Sequence, residues 1–202
     1  MNYINTENGQ YPVSESQIRS MNPDTSFGVP FMAPAPYKIV FPKPAPAFNP
    51  MTHTVVENSP TLTNKGHWEQ DWDLVPLDEA VVLAQTSAIR KTKENEIKSF
   101  RDKLKESGVK VGAHWFHSDV FSRIQWLGLM IMGANAPAIP WKTMTGEFVP
   151  LTPTLVQQVF AATGVMDANL FGIAEAKITA MKALADPTQY DTQSGWPATF
   201  TP

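Results

Sequence analysis

The sequence predicts an α+β fold. An N-terminal proline-rich arm with a small antiparallel meander leads into a C-terminal half that runs helix, hairpin, helix, hairpin, helix. Three observations predict this. Half of the 18 prolines fall within residues 1–50. Short β-branched and aromatic runs then follow one another as far as residue 77. After Pro76 a proline-free stretch runs to Gly108, and from there helix-capping residues alternate with turn residues. The expected regions are 1–77 for the arm and β region, 78–108 for a long charged helix, and 109–202 for the helix and hairpin domain.

The segment "VPFMAPAPYKIVFPKPAPAFNP" is too rich in proline for a helix or for a long central strand. It also carries more large apolar groups than a solvated linker does, among them Phe27, Phe31, Tyr37, Phe41 and Phe48. Two readings follow. It is a stiff arm laid on a neighbour, or its rings pad the protein's own sheet. Before it, Ser14 can cap a short helix, with Gln17 at the capping-box position. Strands are expected over 37–41 and 52–58, with turns at Asn49-Pro50 and Asn58-Ser59-Pro60.

The third expected strand is "KGHWEQDWDLV". Alternation puts His67, Glu69, Asp71 and Asp73 on one face and Trp68, Gln70, Trp72 and Leu74 on the other. The acids there read as a solubilising face. The tryptophans read as the core side of the sheet, or as a face that docks a protein partner.

Residues 78–108 form a helix with a thin apolar stripe of Val82, Ile89, Ile97, Phe100 and Leu104. Residues 87–110 hold eight of the 16 basic residues against four acids. This is read as a solvated helix face rather than a nucleic-acid patch. A hairpin about Gly112 and a helix capped by Ser118 follow. That helix carries Phe121, Ile124, Trp126, Leu127, Leu129, Met130, Ile131 and Met132 all round it, so burial in the fold or in an oligomer is expected. A second hairpin turns at Thr145-Gly146. Thr152 caps a last helix, with Pro153 at its first position, reaching Asp186 and bent or split at Gly164 or Gly172. From Ile124 onward only Lys142, Lys177 and Lys182 are basic, against five acids. So low a charge density points to a surface covered by a partner or another copy.

The chemistry excluded is broad. Net charge is −3, which gives no global basic field for nucleic acid. Cysteine is absent, so there is no disulfide and no thiolate chemistry. The N-terminus lacks the basic and apolar regions of a signal peptide. The uncharged stretch Ile124–Trp141 is broken by Gln125, Asn135, Pro137 and Pro140, so no membrane span is expected. His114 and His117 fall short of a metal site, and no nucleophile elbow, phosphate loop or dinucleotide fingerprint is present. No catalytic residue, metal or cofactor is therefore assigned, and the chain is read as non-enzymatic.

Two parts of the chain carry a resemblance. The start, "YINTENGQYPVSESQIR…NPDTSF…VPF…YKIVFP" with "PTLTNKGHWEQDWDLVPL", resembles the N-terminal region of small bacteriophage tail proteins. The later part, "HWFHSDVFSRIQWLG…IPWKTMTGEFVPLTPTLVQQVFAA…FGIAEAKITAMKALADPTQYD", resembles a phage-encoded domain of unknown function found in tail-fibre-associated and tail fibre assembly proteins. In this sequence Met and aromatics stand where such relatives carry alanine. The resemblance implies a structural component of the virion tail, made in the host cytoplasm and bound to a tail fibre or baseplate protein, with self-association also open. The alternatives are a tail fibre assembly chaperone and a carbohydrate-binding host-recognition module using Trp68, Trp72 or Trp115. The residues expected to meet a partner are Phe31, Tyr37, Phe41, Phe48, Trp68, Trp72, Trp126, Met130 and Phe171.

Overall fold

The computed structural model describes residues 1–136 and 139–201. The chain folds as two compact units, Met1–Val82 and Leu83–Pro202.

In the first unit, β1 (Asn2–Asn5), β2 (Val13–Ser14), β3 (Tyr37–Phe41), β4 (His53–Leu62) and β5 (Trp68–Pro76) form one five-stranded sheet in the order β2-β1-β3-β5-β4. β1 runs antiparallel to both β2 and β3. β3 and β5 are parallel, with Val40 opposite Trp68 and Phe41 opposite Glu69. The chain reaches this arrangement by laying β4 on the outside and turning back through Thr63–Gly66. There the Gly66 N–H donates to the Thr63 carbonyl at 3.0 Å. Gly66 has φ +82, a conformation that a side chain resists.

The core of this unit lies at the β1 end. Tyr3, Val13, Ile18 and Tyr37 are buried, with Phe27, Phe31 and Ala33 packed against them. α1 (Glu15–Met21) supplies Ile18 and starts at a capping box. The Ser14 hydroxyl accepts from the Gln17 N–H, and the Gln17 side chain accepts from the Ser14 N–H at 2.8 Å. Arg19, held by Glu15 at 2.7 Å, lies over the Phe27 and Phe31 rings at 4.9 and 4.8 Å.

Several expectations are corrected here. The chain begins with a strand, not an arm, because Tyr3 and Ile4 are buried in the sheet and anchor it there. Of the two readings of the aromatic rings, Phe27, Phe31 and Tyr37 follow the second and pad this unit's own core. The small antiparallel meander is instead a mixed sheet. Asn58-Ser59-Pro60 is not a turn: β4 continues through it with a register shift between Asn58 and Thr61. A proline is tolerated there because the missing N–H sits at a bulge in an edge strand.

In the second unit, α2 (Glu79–Lys105, within this unit from Leu83) is followed by the ribbon β6 (Val109–Val111) and β7 (His114–Phe116), then α3 (Val120–Met132), a 3-10 turn at Gly133–Asn135, the ribbon β8 (Pro140–Lys142) and β9 (Phe148–Pro150), and α4 (Pro153–Ala183). A serial helix, hairpin, helix, hairpin, helix half does not describe the protein, which among the described residues is α+β with a five-stranded sheet and four α-helices. The ribbons have strands of only three residues, too short to organise a half of the molecule. The organising element is α4, whose buried residues run from Val156 to Met181. Its near part packs with α3 and both ribbons around Val109, Phe116, Trp126, Leu151, Val156 and Val159. Its far part meets Ile97 of α2 through Ala174 and Ile178, and the C-terminal residues Tyr190 and Trp196 fold over that contact.

α4 is one helix through Gly164 and Gly172, and it ends at Ala183 rather than Asp186. Thr152 caps it and Pro153 opens it. Asp119, not Ser118, caps α3, accepting from the Ser122 N–H at 3.0 Å and the Ser122 hydroxyl at 2.6 Å. Pro137, one of the breakers in the uncharged stretch, lies outside the described residues. Among the described residues, no helix is long and apolar enough to cross a membrane.

Phe116→Ala empties a fully buried position and is expected to cost about 3–5 kcal/mol in chemical denaturation. Val165→Ala on α4, 72% exposed, is expected to stay within about 0.5 kcal/mol of wild type. Ser14→Ala is expected to cost about 1 kcal/mol.

Candidate interaction surfaces

One polar cluster sets the geometry of the second unit. Arg123, near the start of α3, donates from Nε to the Ser118 carbonyl at 2.5 Å and from a terminal nitrogen to the Lys105 carbonyl at 2.8 Å. The same guanidinium grips both oxygens of Asp167 on α4 at 2.7 and 3.0 Å. The Ser118 hydroxyl donates to the Lys105 carbonyl at 2.7 Å and accepts from the Gly108 N–H at 2.9 Å. Arginine suits this role because its donors form a rigid planar fork. Ser118 is occupied here, which is why the cap of α3 passes to Asp119.

The cluster orients α3. Ser122 and Trp126 turn inward and are buried, with Leu129 and Met130 packed beside them. The Trp126 ring lies 5.8 Å from Phe116 edge-to-face and 4.2 Å from Trp141, and its N–H donates to the His117 carbonyl at 3.1 Å. The outer face carries Val120, Phe121, Ile124, Leu127, Ile131 and Met132, all exposed.

In the first unit the ribbon of β4 and β5 stands away from the core. His67, Glu69, Asp71 and Asp73 share one face, and the His67 Nε2 lies 2.7 Å from Glu69. Val55, Leu62, Trp68, Trp72 and Leu74 share the other, with Leu62 opposite Trp68 and Val55 opposite Leu74. Leu62 and Leu74 are exposed, and Trp68 and Trp72 are half-buried. The Trp72 indole donates to the Lys43 carbonyl at 2.8 Å, and the Gln70 side chain accepts from the Lys43 N–H at 3.1 Å. The tryptophan face is thus neither a core nor a free platform. It holds the proline-rich segment beside it. Glu57 accepts from Gln70 at 2.8 Å and from the Tyr11 hydroxyl, tying β4 to the start of the chain.

The structure brings some expected partner residues together and separates others. Phe31, Tyr37, Phe41 and Trp68 line one open groove of about 330 Å³, with His67 at its rim. Tyr37 is spent mainly in the core, whereas Phe41 is 49% exposed. Phe48 is exposed but lies outside this groove. Trp126 is fully enclosed, and Met130 is half-buried against the same core. Phe171 is partly exposed beneath Arg101 at 4.2 Å and Lys105 at 5.3 Å. The outer residues of α3 went unselected by sequence reasoning. No signal in the sequence fixed the phase of α3, because the helix is apolar on every side and a serine is ordinarily exposed.

Trp115 lines a half-open apolar pocket of about 240 Å³ with Leu104, Val109, Met166 and Leu170, and residues 197–199 form part of its wall. Its ring packs against Phe200 at 6.0 Å. Among the described residues, no group of three or more His, Cys, Asp or Glu side chains gathers to hold a metal.

Glu94 on α2 bridges Lys182 of α4 and Lys98, each at 2.6 Å. Lys182 first, then Lys98, holds its carboxyl at a pKa of about 2.

The family model described as Domain of unknown function (DUF4376) matches residues 88–194. No curated protein and no solved structure matches the chain.

Asp167→Asn removes the charge that Arg123 grips. Both side chains are about 25% exposed, so the expected loss lies between that of surface and buried pairs, at about 2 kcal/mol in denaturant unfolding. Glu94 is deprotonated in the fold down to about pH 2, against 4.5 for a free glutamate. Its contribution is full above pH 4.5 and is lost as pH falls towards 2. The urea midpoint of wild type should therefore drop between pH 6 and pH 3 by more than that of Glu94→Gln.

Proposed function

We propose that this chain, which belongs to the DUF4376 family of unknown function, is a non-enzymatic structural component of a bacteriophage tail, held at the tail fibre or baseplate by protein–protein contacts. The observation that carries this reading is the apolar surface that the first unit leaves in solvent on both faces of its sheet. On the His67 face, Phe31, Ile39 and Phe41 line an open groove, and on the Trp68 face the ribbon leaves Leu62 and Leu74 exposed. A ribbon with no core beneath it is marginal alone and gains stability by docking. Its outer strand β4 is a sheet edge, the surface on which a partner's extended segment can add a strand. The phage assignment itself rests on the resemblance carried by the two halves of the sequence, and it sets the partner as a tail fibre or baseplate protein and the location as the virion tail.

The test is quantitative mass spectrometry of purified phage particles. A fixed ratio of this chain to the fibre protein is expected. Abundance in the lysate with absence from particles would overturn retention and leave an assembly factor in its place. The double variant Leu62→Lys, Leu74→Lys changes exposed residues only. It is expected to leave the circular dichroism spectrum intact and to lower the amount of chain in particles by at least about tenfold, as loss of a central apolar contact does.

A further inference from the structure

We infer that the outer face of α3 is a self-association surface, on which a second copy of this chain packs its own α3 antiparallel across a two-fold axis near Leu127 and Gly128. This pairing stands apart from the tail role and does not depend on it.

The face is continuous. Val120, Phe121, Ile124, Leu127, Gly128, Ile131 and Met132 fall within an arc of about 140° at 3.6 residues per turn. That is wider than the roughly 100° stripe by which a surface helix covers a core. The inner side of α3 already covers the core through Trp126, Leu129 and Met130. The helix is therefore apolar on two sides and its own unit uses one. Phe121 is 80% exposed, Ile131 79% and Ile124 61%.

The spacing fits a helix partner. Phe121, Ile124, Gly128 and Ile131 follow one another at three, four and three residues, the seam of a coiled coil. The flanking positions, which select charged partners in such pairs, are Val120, Gln125, Leu127 and Met132. None carries a charge, so nothing on the face selects or repels a charged partner, and an identical face is its complement. The charged residues nearest the helix start are used internally. Arg123 is bound to Asp167, and Asp119 caps the helix by accepting from Ser122.

Gly128 sits in the middle of the seam. A Cβ added there would meet nothing within 4 Å, so its own unit does not require glycine at this position. Glycine also weakens a helix interior relative to alanine. A missing side chain at the centre of an exposed apolar face lets a second helix approach closely. A two-fold axis at this point places Ile124 of one copy towards Ile131 of the other, and the reverse, as an isologous contact requires.

At ordinary side-chain areas the exposed parts of this face come to roughly 700 Å² per copy, the most that the pairing can bury, and approach the ~800 Å² per partner of a standard interface.

The experiment uses the full chain. Sedimentation equilibrium between micromolar and hundred-micromolar concentrations is expected to give twice the chain mass at the upper end. Ile124→Glu with Ile131→Glu places unpaired charges in the seam and is expected to raise the dissociation constant about a hundredfold or more. Gly128→Leu favours the helix yet blocks close approach, so it is expected to weaken the dimer while leaving folding intact. The chain has no cysteine, which permits a positional test. Leu127→Cys is expected to form a disulfide-linked dimer under mild oxidation, and Val165→Cys on α4 is expected to stay monomeric. A wild-type chain that is monomeric throughout would overturn the proposal and leave the face to a different protein. A dimer unaffected by the two glutamates, a stoichiometry other than two, or cross-linking through Val165→Cys instead of Leu127→Cys would also overturn it.

Discussion

The second unit depends on the Arg123 cluster. One guanidinium reaches four oxygens, on Ser118, on Lys105 and twice on Asp167. These belong to the end of α2, the loop before α3 and the middle of α4. The last carbonyls of a helix have no partner within the helix. Arg123 and Ser118 satisfy that of Lys105, so the end of α2 is held where β6 can begin. The same contacts set the rotation of α3 about its axis. That rotation decides which apolar residues are core and which are surface.

A second set of contacts, around Glu94, joins the outer turns of α2 and α4. Glu94 reaches Lys182 and Lys98, and Arg90 donates to the Leu184 carbonyl at 2.9 Å where α4 ends. The chain then returns, with Trp196 against Phe100 at 5.7 Å and its indole donating to the Thr192 carbonyl at 3.0 Å. Lys177 lies near both Tyr190 and Trp196. Of the basic residues of α2, Lys93, Lys98 and Arg101 each pair with an acid on the same helix.

The first unit divides its labour differently. Burial is concentrated where β1, β2, β3 and α1 meet, and polar contacts hold the remainder. Lys43 is pinned by Gln70 and Trp72, and Glu57 joins Tyr11 to Gln70. The ribbon of β4 and β5 is therefore ordered without being buried. Apolar groups such as Leu62 and Leu74 remain in water. An ordered surface of that kind needs little reorganisation to bind, which lowers the entropic cost of association.

Local signals were legible in the sequence. The capping box at Ser14 and Gln17, the strand Tyr37–Phe41, the turn at Gly112 and the Thr152-Pro153 helix start each depend on a few adjacent residues. Their physics is contained in that short span. The strand Asn2–Asn5 was not legible, because "NYIN" lacks an alternating pattern and is a strand only through its neighbours β2 and β3. The parallel pairing of β3 with β5 was hidden for the same reason: no local residue encodes which strand lies between which. The phase of α3 was also undetermined. Its sequence is apolar on every side, so hydrophobicity alone could not choose a buried face. By itself the sequence determined the starts of α1 and α4 and the turn at Gly112, because those preferences act through bonds to near neighbours. Only the tertiary structure decided the sheet order and the outward face of α3. Both are fixed by contacts between residues far apart in the chain, in the case of α3 by the grip of Arg123 on Asp167.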